Sequence, residues 1–192
     1  SLSVTAAAKS KTYGAADPAL TYNAAGFVNG DTVSIMTGAL ARAAGENVGA
    51  YAINQGTVSA GGNYIIAYTG ANLTINPASL TVTADNKSKP YNTPNPTLTV
   101  SYSAFQGTDT AASLTTQPTA STTATTGSPV GNYPITVSGG VSNNYTFTYV
   151  SGTLSVGLAD QATLTVVATP STVAYGSTSA LSTTGGSGTG AV

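Results

Sequence analysis

The stretch KSKTYGAADPALTY, residues 9–22, returns as KSKPYNTPNPTLTV, residues 87–100. Lys9 and Lys87 stand 78 positions apart, and so do Lys11 and Lys89, Tyr13 and Tyr91, Pro18 and Pro96, and Leu20 and Leu98. A match held at one offset marks an internal repeat, and a repeat decides how the rest of a chain is parsed. Upstream, Leu2 and Val4 match Leu80 and Val82; downstream, Phe27 and Asp31 match Phe105 and Asp109. The register resumes at a slightly larger offset, with VGAYAI from Val48 against VGNYPI from Val130, and NYIIAY from Asn63 against NYTFTY from Asn144. Leu73 and Ile75 close the first copy as Leu154 and Val156 close the second. Eight of the 11 tyrosines fall in four matched pairs, so the alignment is not forced on noise. Only loops need insertions, where insertions are tolerated.

The chain of 192 residues therefore reads as a β module over 1–77 and a second over 78–157. Residues 158–192 hold a linker and the truncated start of a third β module: Leu164 precedes Tyr175 by 11 positions, as Leu2 precedes Tyr13. Within each module the hydrophobic period is 2. SLTVTA sets Leu80, Val82 and Ala84 on one face and Thr81 and Thr83 on the other, and NYTFTYV sets Tyr145, Phe147 and Tyr149 together. Such alternation predicts half-buried strands. The fold class is all-β, mainly antiparallel: two tandem small modules, each a β-sandwich or a β-grasp-like sheet, elongated, with at most one short helical turn apiece. That turn is placed at NGDTVSIM and GTDTAASL, with Asp31 and Asp109 or the adjacent Thr as N-caps. Pro134 has no N–H for a ladder, so an edge strand or a bulge is expected there. The joint INPASLTV has no slack, which favours a stiff end-to-end arrangement.

Composition narrows the function classes. Only 6% of residues are charged and the net charge is −1, so no basic footprint for nucleic acid exists. No apolar run approaches the roughly 20 residues of a spanning helix, so no membrane insertion by this segment is expected. There is no Cys and no His, which removes disulfides, thiol chemistry and imidazole bases. SLSVTAAAKS has neither the basic start nor the apolar stretch of a signal peptide, and reads as a strand of an excerpt from something longer.

Candidate chemistry is sparse. The lysines Lys9, Lys11, Lys87 and Lys89 lie near Tyr, Asn and Asp, the residue types of a Lys–Asn or Lys–Asp isopeptide bond. The plainer reading makes them edge-strand lysines that deter wrong pairing, with Tyr13 and Tyr91 as core anchors. Gly14, Gly176 and Asn92 follow a tyrosine each, which predicts one fixed turn with positive φ. Asp85, near a module boundary, is the weak candidate for calcium among Asp17, Asp31, Glu46, Asp85, Asp109 and Asp160, too few and too scattered for a calcium loop. The Gly-rich GGSGTG near the end has no helix to follow it. No catalytic set, metal site or cofactor is expected, and the binding residues are unknown.

Taken as a set, Leu-Thr/Ser-Val, Lys-x-Tyr-Gly/Asn, Pro-x-Leu-Thr, a Phe before Gly-Asp-Thr or Thr-Asp-Thr, Val-Gly-x-Tyr and Asn-Tyr resemble the MBG domains of the Tyr-Gly type. The resemblance covers residues 1–157 twice over, and the third start is similar to a bacterial Ig-like repeat. It implies tandem repeats of large bacterial surface or adhesin-like proteins, export, extracellular display and a stalk, and no active site. The leading expectation is thus a non-catalytic spacer whose partners are neighbouring modules of the same longer chain. Two others stand beside it. One is a self-assembling fibre subunit that uses residues 163–192 as an added strand, through homotypic association. The other is an adhesin module for a host or matrix glycan or protein, with the divergent loops 38–47 and 116–129 as the places to look.

Overall fold

The computed structural model describes residues 1–159, 163–169 and 171–185. Asp160, the linker residues 160–162 and the Gly-rich end from Gly186 lie outside the described residues.

Module 1 opens with β1 (Leu2–Ala6) and β2 (Lys9–Thr12), followed by β3 (Tyr22–Ala25), β4 (Ala41–Arg42), β5 (Gly49–Asn54), β6 (Ile66–Thr69) and β7 (Ala71–Asn76). They form two sheets, in the orders β3-β1-β6 and β2-β7-β5-β4. The first and last stretches of the module run side by side through both. β1 lies parallel to β6 and β2 parallel to β7, each residue meeting the one 64 positions on, from Leu2↔Ile66 to Lys9↔Leu73. Alternation then does what the sequence requires: Leu2, Val4, Ala6, Leu73 and Ile75 are buried, while the residues between them face water. Leu2 and Val4 join Val58 and Ala60 in one core cluster, with Phe27, Tyr64 and Tyr68 against it. Ala6, Ile53 and Leu73 make a second.

Module 2 repeats the plan with β8 (Ala78–Ala84), β9 (Lys87–Pro90), β10 (Val100–Ser103), β11 (Thr119–Thr122), β12 (Gly131–Ser138), β13 (Tyr145–Val150) and β14 (Gly152–Gly157). Its sheets take the orders β10-β8-β13 and β11-β12-β14-β9. The parallel pairs recur, β8 with β13 and β9 with β14, now each residue with the one 67 further on. Leu80, Val82, Ala84, Leu154 and Val156 are buried, as the repeat demands. β15 (Thr165–Thr169) and β16 (Ala180–Thr184) then pair antiparallel with each other.

The all-β class holds, but the sheets are mixed: each module has two parallel pairs as well as antiparallel ones. Alternation reports which face of a strand is buried and is silent on its direction. The short helical turns are single 3₁₀ turns, Val33–Ile35 and Ala111–Ser113, capped by Thr32 and Thr110. The threonines cap, so the aspartates before them are released for other partners. Pro134 is not on an edge strand. It sits within β12, an inner strand of its sheet. The hydroxyl of Thr122, the last residue of β11, donates to the Pro134 carbonyl at 2.8 Å, a side chain bonding where that strand ends.

Two compact units emerge. One takes Ser1–Asp85, Leu98–Ser121 and Ile135–Gly152, so it holds module 1 together with β8, β10 and β13. The other takes Asn86–Thr97, Thr122–Pro134 and the described residues from Thr153 on.

Candidate functional site: a module junction and two lysine cages

Within the first unit, the turn that follows β2 meets the loops of module 2. The Tyr13 N–H donates to the Asn76 carbonyl and the Ala15 N–H to the Thr12 carbonyl, which fixes a tight turn with Gly14 at φ +81°. The turn carries the Tyr13 ring off the end of its sheet. Tyr13 is therefore not a core anchor of its own module, as the sequence suggested. It packs edge-on against Tyr145, with ring centroids 5.4 Å apart. Tyr145 in turn meets Phe105 edge-on at 5.6 Å. Edge-to-face pairs of this kind add to the area they bury.

One carboxylate holds this aromatic set. The hydroxyls of Tyr13 and Tyr145 both donate to Asp109 Oδ2, at 2.9 and 2.7 Å. The Gln106 N–H donates to the Tyr145 oxygen at 2.8 Å. The hydroxyl of Tyr145 holds the Asp109 carboxyl below the usual carboxylate range, with Tyr13 and Ser113 adding to it. Burial, then the bond to Asp109, pushes Tyr145 up to about 12. Burial and the same carboxylate raise Tyr13. A second contact set lies alongside. The Val48 N–H donates to Asn144 Oδ1 at 3.0 Å, and Asn144 Nδ2 donates to Asn47 Oδ1 at 3.0 Å. Gly14 is required here. A Cβ at that position would meet Gln106 at 2.6 Å. An open cleft of about 330 Å³ borders the contact, lined by residues that include Tyr13, Glu46, Gln106 and Asp109.

The lysines correct a second expectation. β2 and β9 are edge strands, as read from the sequence, but Lys11 and Lys89 do not stand in solvent. The side chain of Lys11 is 5% exposed and that of Lys89 is buried. An alternating strand with Lys9 and Lys87 half-buried and Lys11 and Lys89 on the same side turns all four toward the module. Lys11 Nζ lies 2.6 Å from Asp17 Oδ1 and 2.6 Å from Glu46 Oε2. Arg42 bonds the same two carboxylates, Nε meeting Asp17 at 2.6 Å and Nη2 meeting Glu46. Arg42 also donates to the carbonyls of Ala43 and Gly45 and lies 5.6 Å over the Tyr51 ring. The hydrogen bond to Asp17, then that to Glu46, raises Lys11. Arg42 and Lys11 lower Asp17, and Lys11 and Arg42 lower Glu46.

This geometry speaks to the isopeptide idea. Forming an amide needs a neutral amine and an uncharged carboxyl or amide. Lys11 is held protonated and Asp17 ionised, so the arrangement is an ion-pair network. Module 2 solves the same problem without acids. Lys89 Nζ donates to the carbonyls of Thr93 at 2.9 Å and Thr125 at 2.6 Å, with Thr126 at 3.4 Å. Asn95, at the place of Asp17, donates its amide to the Ala124 carbonyl at 2.6 Å.

The divergent loops named as binding candidates are thus the walls of the two cages: Arg42 and Glu46 in one, Thr125 and Thr126 in the other. The signal was present in the sequence. Asp17, Arg42 and Glu46 are all charged in module 1, and module 2 has Asn95 and a Thr-rich, uncharged loop. Asp85, the calcium candidate, accepts from Thr99 at 2.5 Å and Ser101 at 2.6 Å. Among the described residues no group of three His, Cys, Asp or Glu gathers to hold a metal ion. No helix among them is long and apolar enough to cross a membrane.

The family described as MBG domain (YGX type) matches the chain twice, over residues 2–74 and 80–155. No curated protein matches the chain.

Proposed function

Because the chain belongs to the MBG domain family (YGX type) through two tandem modules, we propose that it is a non-catalytic spacer, a run of stalk modules in an adhesin-like bacterial surface protein. The observation that carries this reading is the contact of Tyr13 with Asp109 and Tyr145. It spends the most specific side chains of the repeat on fixing one module against the next. A binding module keeps such residues for a ligand; a stalk needs them at its joints. The chain would be exported and displayed outside the cell, its partners being neighbouring modules.

Nuclear relaxation tests the mechanical half. Amides of β1 and β6 and amides of β8 and β13 are expected to report one rotational correlation time, and Tyr13→Ala with Asn144→Ala to separate them. Independent tumbling in the unmodified chain would sink the stalk reading. Antibody labelling of intact cells that make the parent protein tests display: labelling only after lysis overturns it.

A second reading has an observation of its own. The β15–β16 ribbon leaves Leu164, Val166, Val173, Tyr175 and Leu181 exposed. A two-stranded ribbon is marginal alone, so association of copies through it is the alternative. Scattering mass that grows with concentration, and stops growing when the chain ends at Gly157, would favour a fibre subunit.

A further inference from the structure

The acceptor half of the junction exists twice. In module 1 the Tyr64 hydroxyl donates to Asp31 Oδ2 at 2.9 Å, as Tyr145 does to Asp109. The Val28 N–H donates to the Tyr64 oxygen at 3.0 Å, as the Gln106 N–H does to Tyr145. Phe27 meets Tyr64 edge-on at 6.0 Å, as Phe105 meets Tyr145. Thr32 caps the turn after Asp31 as Thr110 caps the turn after Asp109. Asn63 precedes Tyr64 as Asn144 precedes Tyr145.

What differs is coverage. Tyr145 is 4% exposed because Tyr13 lies on it, whereas Tyr64 is only half-buried. Asn144 is half-buried and bonded to Asn47 and Val48, whereas Asn63 is exposed. Beside them Val28 is 58% exposed, where its counterpart Gln106 is half-buried.

We propose that this face of module 1, with Asp31, Tyr64 and Asn63 at its centre, is a docking site for the Tyr-Gly turn of another module of the same type. The incoming tyrosine, at the place of Tyr13, gives its hydroxyl to Asp31. A carboxylate has lone pairs to spare after one such bond, and Asp109 already takes two on a single oxygen. The backbone N–H at the place of Val48 goes to the Asn63 amide oxygen. The apolar surface of Val28, at the place where Gln106 meets the Gly14 turn, is covered. The inference rests on the stalk reading and deepens it: one joint, used head to tail, extends without limit, which is the property of a heterologous contact that does not close.

The test is the full chain with a second copy of residues 1–78 placed ahead of Ser1. The new joint then reads Asn-Pro-Ala-Ser-Leu, as the existing one does at residues 76–80. The added copy carries Asp31→Asn, so only the receiving Asp31 is observed. Its carboxyl carbon resonance, read by NMR at neutral pH, is expected to move from its position in the unextended chain. Tyr13→Phe in the added copy is expected to return it. Cross-strand contacts between β1 and β3 of the added copy establish that it is folded. An Asp31 carboxyl resonance unmoved by a folded added copy, or moved equally with Phe in place of Tyr, overturns the proposal. Relaxation at the existing joint is recorded on the same sample. A failed new contact beside an intact old one defeats this inference alone; failure of both defeats the stalk reading with it.

Discussion

At Gly14 and Ala104 the two modules place different residues in the same backbone turn. Gly14 has φ +81° and Asn92, its counterpart, +62°, so the turn is kept while the residue changes. Asn tolerates this region better than other side-chain residues. Only the turn that docks needs Gly, because only there would a Cβ strike Gln106. Gly14→Ala is expected to cost about 1–3 kcal/mol, from the left-handed backbone and the clash together. Adding Gln106→Ala should recover part of it, and Asn92→Ala should cost only the backbone share. Chemical denaturation reads all three.

Ala104 has φ +73° where module 1 has Gly26 at +100°, a strained site for a residue with a side chain. Ala104→Gly is expected to stabilise by about 1 kcal/mol, since the left-handed region penalises L residues by about that much. The pH profile belongs at this scale too. Asp109 is depressed in the folded chain, so its contribution is present above the unfolded carboxyl value and lost as pH falls through the folded one. Tyr145 is raised from 10.0 to about 12, so its contribution is complete below pH 10 and lost as pH climbs toward 12. Stability should therefore be flat near neutrality, with no His to bend it. Alkaline loss should begin near pH 10 and shrink in Tyr145→Phe; a tyrosine absorbance titration run beside unfolding measures both.

Elements were legible where the period of 2 meets the repeat. β1, β8, β7 and β14 follow from Leu-x-Val or Leu-x-Ile in each copy, and all four bury those residues. Their direction was not legible, because parallel and antiparallel neighbours bury the same face. The edge lysines were half legible: the strand is an edge, but a side chain on an alternating strand must point to one face or the other, and Lys11 and Lys89 point inward. Their two environments predict two behaviours. Lys11 has carboxylate partners that Arg42 continues to hold when it is gone. Ion pairs with exposed carboxylates are worth roughly 0–1 kcal/mol and are screened by salt. Lys89 is buried and donates to the Thr93 and Thr125 carbonyls, the second of which also accepts from the Ser128 N–H. Losing such partners costs about 1–3 kcal/mol. Lys89→Met should therefore destabilise clearly more than Lys11→Met. Added salt should narrow the stability gap between Lys11→Met and the unmodified chain, and leave that of Lys89→Met nearly unchanged. Equal losses with equal salt dependence would mean that the two cages hold their lysines alike.

At the scale of the molecule, the repeat suggests two bodies of equal rank, and the contacts divide the chain differently. The first unit joins module 1 to the β10-β8-β13 sheet of module 2 through side chains that no pattern of hydrophobicity marks: a tyrosine after a lysine strand, an aspartate before a threonine cap, an asparagine before a tyrosine. Each of these looks, in one copy, like local punctuation. The joint becomes visible only when the same residues are more covered in one module than in the other. Cooperativity follows from this division. Amides of β1 and β8, central strands of their sheets, should open with similar free energies in native-state hydrogen exchange, because opening either one breaks the contact that steadies the other. Tyr13→Ala should split that common value, lowering β8 and β1 by different amounts while each sheet stays folded. The β15–β16 ribbon, with every residue of β16 exposed, should exchange without measurable protection in the same experiment. If β1 and β8 open at unrelated free energies in the unmodified chain, the contact at Asp109 is a touching of neighbours and not a joint that carries load.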